Sequence, residues 1–160
     1  MNLLDVSATM AGLLEDPAYR RLGSLLDDGH RRSPDHPQAC EALIKPVDVV
    51  EGLSEFPWHR DCSQGGHDYS CAAYAVGLPL TRTDRDAGHL QVVAGSHRVN
   101  TPGPGAVPSY EVDLPVVPVV TEPGDLTVHV GCTLHRTRRP RTGERTVVYT
   151  TFSLGPLPSG

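Results

Sequence analysis

Three groups of residues in this 160-residue chain have the types and spacing to do chemistry. In Trp58-His59-Arg60-Asp61 an imidazole and a carboxylate stand two positions apart, and in an extended segment such residues point to the same side. Aimed at one point, His59 and Asp61 make half of a site for a divalent metal. Mixed nitrogen and oxygen donors suit a borderline ion such as Fe(II). An H-x-D pair also recurs by chance as two polar side chains at a strand end, so a third donor has to decide the matter. His135 supplies one. Two histidines and one carboxylate form a facial triad that leaves three coordination positions open for a co-substrate and dioxygen. Arg145, at the start of the last β-type run, adds a planar cation that pairs bidentately with a carboxylate and keeps its charge when buried. Such a fork suits the distal carboxylate of 2-oxoglutarate, a diacid whose keto-acid end would chelate the iron. Thr137, two residues after His135, offers a hydroxyl hydrogen bond to the same group.

A frame is needed that brings positions 59, 61, 135 and 145 together. The chain up to Gln38 reads as helical and then as loop. A weak helix is expected over Leu3–Leu14. A second starts at Asp16-Pro17, with Asp as cap and Pro at the first helical position, carries Tyr19, Leu22, Leu25 and Leu26 at helical spacing, and stops at Gly29. Arg31–Gln38 is a polar, proline-punctuated connector. From Cys40 onward short β-type runs alternate with Gly, Pro, Asn and Asp: Ala42–Val50, Ser70–Leu80, Leu90–Ala94, Tyr110–Val120, Leu126–Val130 and Arg145–Leu154. Pro115 and Pro118 confine the fourth run to a sheet edge, because proline cannot donate to a ladder. Many short strands with turn signals between them predict a mainly β fold, a sandwich, barrel or jelly roll. The length suits one compact domain over 1–160, a helical and loop segment (1–38) followed by a β core (39–155).

Composition removes other classes of function. With Lys+Arg 14 against Asp+Glu 19 the net charge is −5, which argues against an electrostatic grip on nucleic acid or anionic lipid. Aromatics at 5% leave most of the core to aliphatic side chains. No apolar run approaches the roughly 18 residues of a membrane span. The sequence opens without a basic segment ahead of an apolar one, and its four cysteines form no C-x-x-C pair, so a reduced, cytoplasmic protein is expected.

His59-x-Asp61, Gly88-x-Leu90 leading into Val93-Ala-Gly95-Ser96-His97, then Gly124-Asp125, His135 and Arg145, in that order, resemble the phytanoyl-CoA dioxygenase family of Fe(II)/2-oxoglutarate oxygenases. The resemblance covers roughly Pro46 to Phe152. It implies a double-stranded β-helix, a jelly-roll or cupin-like core, with one or two short N-terminal helices. It also implies that His59, Asp61 and His135 bind Fe(II), that Arg145 and Thr137 hold 2-oxoglutarate, and that dioxygen is the other co-substrate. The implied activity is hydroxylation, or another C–H oxidation, of a small molecule with release of succinate and CO2. Iron halogenases of this kind lack the carboxylate, so Asp61 favours hydroxylation. Family members usually carry a longer helical N-terminal region, so the resemblance implies that part of that wall is either missing or supplied by a homodimer or partner chain. Arg60 stands where an uncharged Gln is common, which makes an anionic substrate the expectation if its charge faces the metal.

The remaining candidates divide between chemistry and packing. Trp58, Arg60, His67 and Tyr74 are candidate substrate contacts, with packing the simpler account of Trp58 and Tyr74 and solvent exposure that of His67. His89 is read as solvent-exposed, Cys132 as buried, and His129 as packed or supporting rather than ligating. Arg136, Arg138, Arg139 and Arg141 form a solvated loop or, alternatively, a cationic rim for a carboxylate, phosphate or CoA-type substrate. The proline-rich Thr101–Pro108 loop is a lid or connector. Two other functions remain: a catalytically idle metal-binding homologue serving as subunit or scaffold, and a zinc hydrolase using the same ligands. The second has no evident general base and leaves Arg145 without a task.

Overall fold

A computed structural model describes residues 3–5, 7–25, 31–32, 40–47, 55–61, 73–98 and 115–153. The expectations for His67, for the Thr101–Pro108 loop and for the helix beyond Leu25 lie outside them. Local signals set the first elements. The Ser7 hydroxyl accepts from the Met10 amide and caps α1 (Ala8–Glu15). The Asp16 carboxylate accepts from the Ala18 amide at 2.7 Å, and Pro17 opens α2 (Pro17–Arg20), as the sequence predicts. The second helix is shorter than its spacing suggests, because it tightens into a 3-10 turn over Arg21–Ser24.

The rest of the described chain is strand and turn: β1 (Arg31–Arg32), β2 (Cys40–Lys45), β3 (Phe56–His59), β4 (Ala73–Pro79), β5 (Leu90–Val93), β6 (Val116–Val119), β7 (Thr127–Val130), β8 (His135–Thr137) and β9 (Arg145–Ser153). They form two antiparallel sheets. In the larger, β1 and β2 follow one another along one edge of β9, which pairs on its other side with β4, and β4 with β7. The smaller has the order β3-β8-β5-β6, with the proline-bearing β6 at its edge as expected. The sheets face each other as a jelly roll, bridged by side chains such as Lys45 against Thr137 and His129 against His135.

The two faces of the larger sheet do different work. On its outer face Cys40, Tyr74, Val76, Val148 and Phe152 pack with Leu14 and Tyr19 of the helices into the main apolar core. Tyr74 stacks on Phe152, and the Tyr19 hydroxyl bonds Thr150 Oγ1 at 2.9 Å. The inner face carries Lys45, Arg145, Tyr149, Gly77 and His129, brought level by the registers Lys45↔Arg145 and Gly77↔Tyr149. A Cβ on Gly77 would lie 2.6 Å from Thr127 Oγ1 and 3.0 Å from the Tyr149 ring, so only glycine lets that ring lie across β4.

Three short strands were not among the expected runs. Arg31–Arg32 pairs with the end of β9, where a connector was expected. Phe56–His59 contains a proline, and His135–Thr137 has three residues. Neither shows the alternation that marks a strand, and only cross-strand pairing defines them. No described helix is long and apolar enough to cross a membrane.

Candidate metal centre

The smaller sheet brings the first two ligand candidates to the third. His59 closes β3 directly opposite His135, the first residue of β8, and Asp61 follows two residues on. One donor atom from each of His59, Asp61 and His135 lies within 4.8 Å of the others. His59 Nδ1 is 2.8 Å from the Pro57 carbonyl, and His135 Nδ1 is 2.9 Å from the Thr133 carbonyl. A carbonyl can only accept, so both rings carry their proton on Nδ1 and turn Nε2 towards Asp61. Asp61 Oδ1 lies 3.5 Å from His59 Nε2 and 3.6 Å from His135 Nε2. Two imidazole Nε2 atoms and a carboxylate oxygen thus converge on one point, a set that can hold a metal ion.

The electrostatics sort these donors. Burial opposes ionisation of Asp61, but the close imidazoles of His129, His59 and His135 outweigh it and hold the carboxyl well below the usual range. Burial, helped by the neighbouring His129 and His59, pushes His135 down to about 3 and keeps it a neutral ligand. Burial also works against a charged His59, yet the Asp61 carboxylate and the Pro57 carbonyl together raise it above its ordinary value. Asp61 is therefore an anionic carboxylate and His135 a neutral imidazole, the states in which a metal takes them, whereas His59 would give up a proton on binding one.

Behind this centre lies a second site. Thr137 shares the inner face of β8 with His135, about 7 Å further along the strand. It is buried and accepts a hydrogen bond from Lys45 Nζ. Lys45 is fully buried and paired in register with Arg145, itself 2% exposed. Arg145 Nη2 donates to the Tyr149 hydroxyl at 3.1 Å, while its Nε and Nη1 have no hydrogen-bond partner among the described residues. No described carboxylate lies within ion-pair distance of either cation. Burial, with Arg145 alongside, pushes Lys45 down to about 7. Two buried cations with spare donors and no described carboxylate paired to them fit the distal carboxylate of a small diacid.

The geometry therefore assembles His59, Asp61 and His135 at one point and Arg145 with Thr137 at another. Lys45 and Tyr149 belong to the second site without having been singled out. Lys45 lies in an expected strand, but its partner depends on register, which the sequence does not print. The substrate candidates fare differently. Tyr74 is on the outer face of the larger sheet, donating to the Leu22 carbonyl, and is a core residue. Trp58 points away from His59 and packs with Val93 and Leu134 beneath the Arg136 guanidinium. Arg60 donates to the Ser96 carbonyl at 2.9 Å, so the contact shown for it is with backbone.

His89 is buried rather than exposed, because the turn at Gly88 (φ 70°) folds it back so that Nδ1 lies 2.9 Å from the Asp84 carbonyl. Arg138, Arg139 and Arg141 line, with Arg85, a groove of about 900 Å³ whose walls include none of the three metal-donor residues. A different groove, of about 780 Å³, also lacks the three metal-donor residues in its walls but reaches His129, whose ring centroid is 4.5 Å from that of His135; Leu90, Val92, Val119, Leu126 and Asp125 are among its walls.

Comparison with known proteins bears on the family and the fold. The family model of phytanoyl-CoA dioxygenase (PhyH) matches residues 5–147. No curated protein matches significantly. Among solved structures, AviO1 from Streptomyces viridochromogenes Tue57 is 23% identical, with a TM-score of 0.66 over 96% of this chain and 64% of its own. SnoN, a non-heme alpha ketoglutarate dependent epimerase from nogalamycin biosynthesis, is 21% identical, with a TM-score of 0.74 over 96% of this chain and 61% of its own. EctD from S. alaskensis, solved with 2-oxoglutarate and 5-hydroxyectoine, is 20% identical, with a TM-score of 0.72 over 94% of this chain and 54% of its own. The chain thus spans less than two thirds of the length of these relatives, and the likeness to them is one of fold.

Proposed function

The chain belongs to the phytanoyl-CoA dioxygenase family, and on that premise we propose that it is an Fe(II)- and 2-oxoglutarate-dependent oxygenase that oxidises a C–H bond of a small molecule. The observation that carries this reading is the buried pair Lys45–Arg145, with no described carboxylate at ion-pair distance, set just behind three converged metal donors. A triad alone suits zinc hydrolysis as well as oxygen chemistry; a built anion site behind it answers to a diacid co-substrate.

In this reading His59, Asp61 and His135 hold Fe(II), while Arg145 and Thr137, joined by Lys45 and braced by Tyr149, hold the distal carboxylate of 2-oxoglutarate. Bound iron supplies the redox chemistry by which 2-oxoglutarate, O2 and R–H become succinate, CO2 and R–OH, one oxygen atom going to succinate and one to the alcohol. The protein's own part is positioning. The Arg145 fork fixes the far end of the diacid, and the Nδ1 bonds of His59 and His135 fix the ring orientations. The groove that reaches His129 is the place for the substrate. Its described walls mix Leu and Val side chains with Thr, His and Asp125 and contain no Lys or Arg, which supports a substrate without negative charge.

The test is succinate release from 2-oxoglutarate with Fe(II), ascorbate and air, across a panel of small molecules without negative charge. Succinate should form in an O2-dependent way, and Arg145→Ala should abolish both succinate and 2-oxoglutarate binding. Absence of 2-oxoglutarate binding by the wild-type protein would leave an idle homologue. Hydrolysis sustained by zinc without O2 would identify a hydrolase instead.

A further inference from the structure

We propose that His129 is a positioning residue whose Nε2–H donates to the outer oxygen of Asp61, holding that carboxylate as a one-oxygen ligand. The inference rests on the metal-centre reading above. The two oxygens of Asp61 have separate neighbours. Oδ1 faces the Nε2 atoms of His59 and His135, at 3.5 and 3.6 Å. Oδ2 faces His129 Nε2, at 3.4 Å. An unrestrained carboxylate can close on a metal through both oxygens, taking a coordination position that a facial triad has to leave open. A donor fixed on Oδ2 prevents that closure and orients Oδ1.

His129 is placed for this from the opposite sheet. It sits in β7 directly across from Ala75 and on the inner face, with its ring centroid 4.5 Å from that of His135 and tilted by 56°. The ring is buried, and neither nitrogen has an aligned hydrogen-bond partner among the described residues. A buried imidazole kept only for its shape would give up its hydration for nothing, whereas an apolar ring would fill the space without that loss. The 3.4 Å separation is a few tenths of an ångström beyond a formed hydrogen bond. A small swing of the Asp61 carboxylate closes it, and that side chain is 45% exposed, with room to turn.

The experiment is an anaerobic Co(II) titration of the full chain without 2-oxoglutarate, comparing wild type, His129→Phe, His129→Gln and His59→Ala. The Phe variant keeps a ring but has no donor, and should bind Co(II) about 10- to 100-fold more weakly. The Gln variant restores an N–H near the same oxygen and should recover most of that loss, together with the wild-type visible Co(II) spectrum. Unchanged affinity in His129→Phe overturns the proposal. So does equal weakening of two folded variants, which would assign the effect to ring shape, or a loss as complete as in His59→Ala, which would make His129 a ligand. Failure of wild type to bind Co(II) instead overturns the metal centre, and this inference with it. If His129→Phe does not fold, 15N–1H spectra of the Zn(II)-loaded wild type decide: a non-ligating ring protonated at Nε2 supports the assignment, and one protonated at Nδ1 overturns it.

Discussion

Lys45 is held without solvent beside a second cation, and a threonine hydroxyl and the Phe56 ring, 4.7 Å from Nζ, compensate its charge only in part. Its folded pKa of about 7 lies below the value of 10.5 expected for an unfolded chain. Between those values the unfolded state binds the extra proton, so stability rises with pH across that window, and the penalty is complete below pH 7. The melting temperature of the ligand-free protein should therefore increase from pH 7 to 9, and Lys45→Met should flatten that slope. The same substitution should stabilise the ligand-free protein by about 1–3 kcal/mol, as replacement of a poorly compensated buried charge does. It should also weaken 2-oxoglutarate binding by about tenfold or more, the worth of one charge-assisted hydrogen bond. Denaturant unfolding and calorimetric titration check the two halves separately. At this scale the donor types were legible in the sequence: the structure brings His59, Asp61 and His135 near one another, and Thr137 to Lys45 opposite Arg145. Lys45 was not, because a lysine in a β-type run declares its burial only once its partner strand is known.

Strand alternation does the positioning at the next scale. The face of β9 that carries Val148, Thr150 and Phe152 packs against or bonds to the helices, and the face that carries Arg145 and Tyr149 builds the anion site. Gly77 couples the two strands at that site. Gly77→Ala should push the Tyr149 ring aside and break its bond to Arg145, costing about 1–3 kcal/mol in stability and weakening 2-oxoglutarate binding more than Co(II) binding. Parallel titrations of the two ligands distinguish this from general unfolding. On the other face, Leu14→Ala should cost about 2–5 kcal/mol by opening a cavity beneath α1. Its Co(II) affinity, measured well below the melting temperature, should stay within about twofold of wild type, since sites without shared partners act independently. The longer strands were readable from their β-branched, alternating runs. β1, β3 and β8 were not, because two to four residues carry too little pattern. The burial of His89 escaped notice because a turn at Gly88, rather than a periodic element, produces it.

Among the described residues, the two sheets meet across their inner faces through charged and polar groups, beside a small apolar cluster of Trp58, Val93 and Leu134. A metal bound only in the folded state should therefore act as a clasp between elements distant in sequence. Co(II) at a hundredfold excess over its Kd should stabilise the wild-type protein by about 2.7 kcal/mol. Asp61→Ala should lose that gain, with the unfolding midpoint in the presence and absence of EDTA as the measure. The sequence by itself determined the inventory and its order: a mainly β chain with capped helices at its start, an H-x-D pair, a later histidine, and a buried-type arginine opening the last strand. Only the tertiary structure decided which groups meet across space. Lys45 stands opposite Arg145, Tyr149 reaches over Gly77, and His129 comes from one sheet to Asp61 beside the other. The reason is register: a slip of one residue turns every side chain of a strand to the other face, and register is settled by packing of the whole fold rather than by neighbours in the chain.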